Sequence, residues 1–446
     1  MNILDRLHNP LAKNTLKLSM SNVIMYLLPL IVTPILSRLY TQEQYGEWGV
    51  FSSTFLIINS ILFLSYENTI VKSREDEVSG LCLACSMVAC TVIMLTVCVF
   101  FAGRFIGAEF FCDFPSLGIL VALLFVSLFN QLLYNLSNRY EQYMLMSVTN
   151  VVQGIGQAIS RLALSFVKSI NGLIVGNVIA QILSVLSYVY GLRKRLPAIF
   201  HKKPGLHEVR SLLVKYKNFP LYDAPGLVLE SSIFNLALII LSLYFTKDII
   251  GCYSIIFQFL VLPVSLVGSA MSKVYYREIS VTNSTQEISS ITKKVSKMTY
   301  GLSLLPITFI ALGGDKLITI FLGNKWAVAG NIALCMSIMS VPIILAESLL
   351  PLFRRLDKQR TRLSYDVLCF AFGLGGLLLS CNLSDNIYIV LVVYVICYSF
   401  ARYFLFFNIL RNAKADFPVK TIVLASLVVL VLYIIAFVRI NSLIHQ

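Results

Sequence analysis

Charged residues are scarce in this chain of 446 amino acids. Only 13% of the residues are Asp, Glu, Lys or Arg, whereas 57% are hydrophobic and the mean hydropathy is +0.80. Ordinary water-soluble domains carry about 25% charged residues, so this composition excludes a soluble globular protein. The sequence therefore predicts a chain that lies in a lipid bilayer.

Histidine is also rare, and the cysteines are not arranged for metal binding. None of the four histidines falls in a long apolar segment. Among the ten cysteines, Cys82 and Cys85 form the one close pair, without a second pair or a histidine at the spacing of a metal site. Cysteine in an apolar helix usually acts as a small hydrophobic residue. The sequence thus offers no cluster for catalysis or metal binding, and we expect neither an enzyme nor a cofactor.

Long apolar segments dominate the chain instead. A helix of about twenty residues crosses a hydrocarbon core roughly 30 Å thick, and a crossing segment must be helical because lipid offers its backbone no hydrogen bonds. Thirteen segments qualify, numbered below as spans one to thirteen: 16–37, 48–71, 80–102, 116–138, 144–167, 172–192, 219–244, 250–272, 298–322, 328–352, 364–382, 386–409 and 420–440. We predict an all-α integral membrane protein. Prolines at 29, 34, 220, 225, 263, 306 and 342 lie within or at the starts of spans, and each interior one predicts a bent helix.

Lys and Arg residues are distributed unevenly over the connections between spans. Most of them fall in alternate connections, counted from the N-terminus. Basic residues near span ends tend to stay on the cytoplasmic side, so we expect a cytoplasmic N-terminus. The formal net charge of +14 then reflects topology and contacts with anionic membrane lipids, and nucleic acid is not an expected partner.

Two stretches of the sequence resemble one another. Residues 36–48, at the end of span one, share their order of Leu-Ser, bulky residues, Thr, an acid, Gly and an aromatic with residues 241–253, at the end of span seven. A weaker echo relates 105–110 to 321–326. Self-similarity at a fixed offset indicates a repeated architecture. We therefore expect two pseudo-symmetric six-helix bundles, an arrangement typical of transporters.

The longest polar connection lies between these bundles. It begins with Arg193-Lys194-Arg195 and is basic throughout. We predict an N-terminal six-helix lobe at 1–195, a basic cytoplasmic linker at 196–217, a C-terminal six-helix lobe at 218–410, and an extra transmembrane helix with its tail at 411–446.

Polar side chains inside spans are the candidates for function, because ionisable groups are costly in lipid and usually face a water-filled cavity or a partner. In span five, Asn150, Gln153, Gln157 and Arg161 recur at helical spacing and form one polar stripe. Span four has a similar stripe that includes Asn135. We expect Arg161 to border an aqueous cavity. For the amides, the alternative is hydrogen bonding between helices, which contributes about 0.6 kcal/mol per bond.

Further ionisable residues lie within or at the ends of spans. The acids, which we expect to be protonated, to bind a coupling cation or to pair with an arginine, are Glu67, Asp223, Glu230 and Glu347. The cations are Arg402 in span twelve and Arg38 at the outer end of span one, where the side chain can instead reach the interface. Arg161 and Arg402 suit a phosphate or an acidic sugar. They can equally neutralise the acids.

The sequence resembles the Wzx-type O-antigen flippases, whose superfamily also holds the multidrug and toxic compound extruders and the lipid II flippase. The likeness rests on Pro34-Ile35-Leu36-Ser37-Arg38 with the following Tyr45-Gly46, on Ser65-Tyr66-Glu67-Asn68-Thr69-Ile70-Val71, and on Phe321-Leu322-Gly323-Asn324-Lys325-Trp326. It covers the chain up to about residue 410. Members usually have twelve or fourteen spans, so the thirteenth span is a departure.

This resemblance implies a MATE-like, V-shaped pair of lobes in the bacterial inner membrane. It implies alternating access that turns an undecaprenyl-diphosphate-linked oligosaccharide from the cytoplasmic to the periplasmic leaflet, with H+ or Na+ coupling. Arg161 would contact phosphate or sugar, and Glu230 or Glu67 would bind the coupling cation. Implied partners are a polysaccharide polymerase and a chain-length regulator.

Two other functions stay open. One is a cation-coupled multidrug exporter of the same superfamily, which would confer drug resistance. The other is a membrane-embedded glycan polymerase or ligase, against which stand the internal repeat and the lack of a long periplasmic loop rich in acids, bases or arginines.

Overall fold

The computed structural model describes residues 10–167, 170–199, 204–282, 284–356, 358–415, 431 and 438. All regular elements in these ranges are helices. The described chain divides after Ser231 into two compact units. This division falls within a helix that follows the predicted linker 196–217, and the predicted lobe boundaries stay predictions.

The first unit contains ten α-helices and the start of an eleventh within its described residues. They are α1 Pro10–Leu39, α2 Gln42–Ile61, α3 Thr69–Lys72, α4 Val78–Ile106, α5 Glu109–Cys112, α6 Leu117–Arg139, α7 Tyr143–Leu164, α8 Gly172–Leu192, α9 Leu196–Ile199, α10 Leu206–Lys215 and α11 Ala224–Tyr244. Short 3-10 helices, Tyr66–Asn68 and Glu75–Glu77, flank α3, and a π-helical turn, Phe219–Asp223, precedes α11.

The second unit continues from α11 with eight more α-helices among the described residues. They are α12 Lys247–Val281, α13 Thr285–Phe309, α14 Asp315–Leu322, α15 Ala327–Ser337, α16 Ser340–Leu349, α17 Pro351–Arg355, α18 Gln359–Leu383 and α19 Ile387–Asn412. A π-helical segment, Ile310–Gly314, joins α13 to α14, and a 3-10 helix, Asn324–Trp326, precedes α15.

Many helices begin at a side chain that caps their first turn. Thr41 accepts a hydrogen bond from the Gln44 backbone, and the Gln44 side chain accepts one from the Thr41 backbone, which forms a capping box at the start of α2. Asn171 caps α8 and Asn386 caps α19. In each case the side chain accepts a hydrogen bond from the backbone N–H group two residues later. Such caps satisfy amide groups that a helix cannot pair by itself.

The prediction of an all-α integral membrane protein is confirmed. In the described chain, six helices are each long and apolar enough to cross a membrane, and the number rises to nine if three bent pairs of helices count as single spans. Span thirteen, 420–440, falls almost entirely outside the described residues and stays a prediction, as does the cytoplasmic N-terminus.

Three spans are broken by bends of 56°, 51° and 49°, in spans two, nine and ten. Bends in spans nine and ten agree with the expectation from their prolines. The bend in span two was not predicted, because no proline or glycine marks it. There Leu64 and Ser65 adopt φ angles of 49° and 64°, a left-handed conformation that interrupts a right-handed helix.

In the first unit, α7 lies against both α1 and α8. Glycine permits the close approach to α1, since a Cβ at Gly154 would lie 3.0 Å from Met25 Cα. Small residues at such crossings are the usual means of packing membrane helices. In the second unit, α16 is almost fully buried, and it contacts α12, α13 and α19.

Candidate functional site

Arg161 lies in the last turn of α7, where only 4% of its surface is exposed. Its guanidinium carbon lies 5.0 Å from the ring centroid of Trp48 on α2. The Tyr40 hydroxyl donates a hydrogen bond of 2.6 Å to the Arg161 carbonyl oxygen. On the other side, a Cβ at Gly176 of α8 would lie 2.8 Å from Arg161 Cγ. The expectation that Arg161 borders an aqueous cavity is therefore corrected, because α2, α7 and α8 enclose it.

The enclosed guanidinium has donors that no described residue satisfies. Arg161 Nε and Nη2 are buried and have no hydrogen-bond acceptor among the described residues, and the same holds for Trp48 Nε1. Arg161 also forms no ion pair within the described part of the chain. A buried, unpaired charge costs several kcal/mol, so this arrangement calls for an acceptor.

Most of the predicted amide side chains of spans four and five form hydrogen bonds, either to another helix or within their own helix. Asn150 Nδ2 donates to Ser21 Oγ of α1 at 3.3 Å, and Gln157 Nε2 lies 3.5 Å from Asn177 Oδ1 of α8. Gln153 is half-buried. Asn135, 8% exposed, donates from Nδ2 to the carbonyl oxygen of residue 131 in the same helix at 3.0 Å. For Asn150 and Gln157 the geometry favours hydrogen bonding between helices.

A second polar network joins α2 to α6, and its central residue was missed in the sequence. Asn59 Oδ1 accepts hydrogen bonds from Ser127 Oγ at 2.6 Å and from Gln131 Nε2 at 2.9 Å. Asn59 and its neighbour Ser60 are the only polar residues in the run 55–64, so no polar stripe in this part of the helix signals the network.

Glu67 lies on the 3-10 turn that follows the bend of span two. Its Oε2 atom is buried and has no hydrogen-bond partner among the described residues. Its Oε1 atom lies 3.5 Å from Asn68 Nδ2. A carboxyl group so placed is suited to carry a proton or to bind a cation, because either compensates its charge.

Arg139, at the end of α6, holds the segment that carries Glu67. Its Nη1 atom donates to the carbonyl oxygens of Ile70 and Ser73, both at 2.7 Å, and its Nη2 atom lies 3.2 Å from Glu75 Oε2. The sequence showed Arg139 only as a basic residue at a span end. It therefore gave no sign that the side chain satisfies the last carbonyl groups of α3.

Helix α10 holds the same segment from the other side. The Tyr66 hydroxyl donates to the Leu213 carbonyl oxygen at 3.0 Å. Lys215 pairs with Glu77, and the Tyr216 hydroxyl lies 2.9 Å from Glu77 Oε2. The hydrogen bond with Glu77 raises the pKa of Lys215. The predicted linker 196–217 thus contains a helix that is docked on the first unit.

Arg402 and Glu347 are brought together in the second unit. Arg402 is 5% exposed, and its Nη2 atom donates to Glu347 Oε1 at 3.2 Å while Nε donates to the Tyr398 hydroxyl at 2.8 Å. Gly268 on α12 allows this placement, because a Cβ there would lie 2.8 Å from Glu347 Cβ. Of the alternatives left open by the sequence, neutralisation of an acid is the one the geometry supports for Arg402.

Two further charged residues that the sequence reasoning missed lie beside this pair. Asp366, near the start of α18, interacts electrostatically with Arg362, Arg402 and Glu347. Arg362 Nε lies 3.5 Å from Asp366 Oδ2. Their spacing of four residues on one helix was the available signal.

The remaining predicted site residues are Arg38 and Asp223, which lie outside these clusters, and Glu230. Arg38 is exposed at the end of α1, as expected for a side chain that reaches the interface. Asp223 is exposed in the π-helical turn before α11. Glu230 lies on α11, and its side chain lies outside what the structure describes.

Comparison with known proteins gives a family model and several solved structures. A family model described as a polysaccharide biosynthesis protein matches residues 11–280. No curated protein matches the sequence. A multidrug resistance MATE family transporter of the MOP superfamily, in an inward-facing conformation, is similar with a TM-score of 0.71 and 11% identity, over 89% of this chain and 98% of that one. The lipid II flippase MurJ, in an inward closed conformation, is similar with a TM-score of 0.68 and 12% identity, over 96% of this chain and 98% of that one. The chain thus has the fold that these transporters share.

Proposed function

Because the chain belongs to the family of polysaccharide biosynthesis proteins, we propose that it is a flippase for lipid-linked oligosaccharide repeat units. The substrate is an undecaprenyl-diphosphate-linked repeat unit of O-antigen or a related surface polysaccharide. It moves from the cytoplasmic to the periplasmic leaflet of a bacterial inner membrane. The observation that carries this proposal is the family match over residues 11–280. The fold shared with a lipid II flippase and a drug transporter supports transport rather than catalysis.

We assign the coupling cation to Glu67. Of the predicted acids, Glu347 already has a partner in Arg402 at 3.2 Å, Asp223 is exposed to solvent, and the Glu230 side chain lies outside what the structure describes. Glu67 combines a buried, unpartnered oxygen with a position at the break of a span. A proton or Na+ bound there removes the charge of the carboxylate, so occupancy changes the cost of enclosing this segment. Such a difference between two states is what ion coupling requires.

For the substrate, the half-buried amide of Gln153 is suited to sugar hydroxyls, since an amide both donates and accepts hydrogen bonds. Arg161 suits the diphosphate by charge. Because its side chain is enclosed in this structure, that contact requires the ends of α2, α7 and α8 to separate at another stage of the cycle. Polymerase and chain-length regulator remain the proposed protein partners.

The test is complementation of a strain that lacks the gene. Wild-type protein restores the surface polysaccharide, whereas Glu67→Gln at the same membrane abundance does not, because glutamine cannot exchange a proton or hold a cation as a carboxylate does. Asp76→Asn is the matched control, since Asp76 is exposed and near in sequence, and it restores export. Export by the Glu67→Gln protein would refute the coupling assignment. A strain with normal polysaccharide and new sensitivity to organic cations would instead indicate a drug exporter.

A further inference from the structure

We propose that Arg161 and Trp48 form a binding site for a small inorganic anion of the size of chloride. The site lies inside the first unit, where the ends of α1 and α7 meet the starts of α2 and α8. Its existence does not rest on the proposed transport function, because anion binding is measured on the purified protein.

The charge of Arg161 is the first reason for an anion. The residue is 4% exposed and forms no ion pair among the residues that the structure describes. By contrast, Arg402, which is also deeply buried, is paired with Glu347. Enclosing an arginine without a counter-charge is strongly unfavourable, and Arg161 remains ionised at any physiological pH. An anion that enters with it supplies the missing charge.

The donors around Arg161 are the second reason. Nε and Nη2 of Arg161 and Nε1 of Trp48 are all buried without a protein acceptor in the described chain. These N–H groups belong to neighbouring side chains, since the Arg161 guanidinium carbon lies over the Trp48 ring at 5.0 Å from its centroid. We infer that one anion bound beside this pair accepts from both groups. Buried donors are nearly always satisfied in folded proteins, and an anion satisfies three of them at once.

The surroundings favour a small ion over a large one. Tyr40 and Tyr45 interact electrostatically with Arg161, and both are 2% exposed. Gly176 brings the backbone of α8 against the other side of the side chain. A diphosphate that carries a lipid and a glycan cannot enter such a closed site without separating these helices. A single halide ion is far smaller, so its entry requires the least displacement of the surrounding side chains.

Tryptophan fluorescence tests the proposal directly, because the chain has only two tryptophans, Trp48 and Trp326. Trp326→Phe leaves Trp48 as the only indole. Bromide and iodide quench indole fluorescence on contact, so a halide bound at Arg161 quenches Trp48. We expect saturable quenching of purified Trp326→Phe protein by iodide, with gluconate as the replacement anion at constant ionic strength. Added chloride should reverse this quenching by competition.

Two variants control for collisional quenching by iodide that is not bound at the site. In the Trp326→Phe background, Arg161→Gln should raise the half-saturating iodide concentration at least tenfold or leave only linear quenching. Trp48→Phe leaves Trp326, which is 0% exposed and has the Lys325 ammonium group 5.9 Å from its ring centroid. Its quenching should be linear, which would show that a nearby cation alone does not create the site.

A second measurement uses the unsubstituted protein, in case a tryptophan variant does not fold. A ligand that binds only the folded state raises the unfolding temperature with its concentration. Exchanging gluconate for chloride at constant ionic strength should therefore raise the unfolding temperature of the wild-type protein and leave that of Arg161→Gln unchanged. Linear quenching of Trp48, or an unfolding temperature that ignores chloride, would overturn the proposal.

Discussion

The Arg402–Glu347 pair gives the sharpest prediction about stability. Glu347→Ala removes the carboxylate that lies 3.2 Å from Arg402 Nη2 and leaves a guanidinium whose side chain is 6% exposed. Breaking a fully buried pair by removing one partner costs about 3–5 kcal/mol. The Glu347 side chain is 24% exposed, and Tyr398 still accepts from Arg402 Nε. We therefore expect a loss near the lower end, about 3 kcal/mol of unfolding free energy.

The reverse substitution should cost less, which makes a double-mutant cycle informative. Arg402→Met removes the cation and leaves Glu347, whose side chain is 24% exposed and can be hydrated. The double variant should then be more stable than the sum of the single effects predicts, by at least about 1 kcal/mol, because neither charge remains unpaired. The assay is equilibrium unfolding of the purified protein in mixed micelles.

An ion pair with an exposed carboxylate in the same chain is the matched control. Glu75, whose side chain is 70% exposed, pairs with Arg139 at 3.2 Å, and Glu75→Gln should cost less than about 1 kcal/mol. If Glu347→Ala cost no more than this control, or if the two substitutions in the second unit were additive, the reasoning about the buried pair would be refuted.

Three other substitutions probe the packing of the first unit by the same unfolding assay. Gly176→Ala places a Cβ 2.8 Å from an atom of α7 and 3.2 Å from its backbone, so it should lower the unfolding free energy by about 1–3 kcal/mol. In the control Gly118→Ala, nothing lies within 4 Å of the added carbon, so the protein should not be destabilised. Equal effects of the two substitutions would contradict the close crossing of α7 and α8. Thr41→Ala removes the capping box of α2 and should cost about 1 kcal/mol, and an unchanged midpoint would show that the cap contributes nothing. Tyr66→Phe removes the hydrogen bond to the α10 backbone and should lower the unfolding free energy by about 0.5–1.5 kcal/mol. Faster proteolysis within 204–217 is a second readout. Equal cleavage rates in the variant and the wild-type protein would argue against the docking of α10.

The sequence was informative about which residues are polar within apolar helices, and much less so about what they contact. Arg402 and Glu347 were both identified as ionisable residues inside spans, but they lie on α19 and α16, and only the packing of those helices pairs them. The polar stripe that contains Arg161 follows from residue spacing within a single helix. Its enclosure depends on Trp48 and Gly176, which belong to other helices.

The unpredicted features depend on backbone conformation or on contacts that form only when the chain is folded. The bend of span two rests on positive φ angles at Leu64 and Ser65, residue types that do not mark left-handed backbone in a sequence. The role of Arg139 depends on carbonyl groups that α3 leaves unpaired at its end. The ion pair of Asp366 could have been predicted from the sequence, because Arg362 lies one turn earlier on the same face of α18.

We propose that this protein moves lipid-linked oligosaccharides across the membrane, and the sidedness of these lipids in cells tests that proposal. Cells without the gene would be analysed for the side of the inner membrane on which the lipid-linked repeat unit resides, by its accessibility to a membrane-impermeant glycan-modifying enzyme in spheroplasts. The account predicts that repeat units accumulate on the cytoplasmic face and are protected from the enzyme until the wild-type gene is restored. Repeat units that stay accessible from the periplasmic side in the absence of this protein would contradict it.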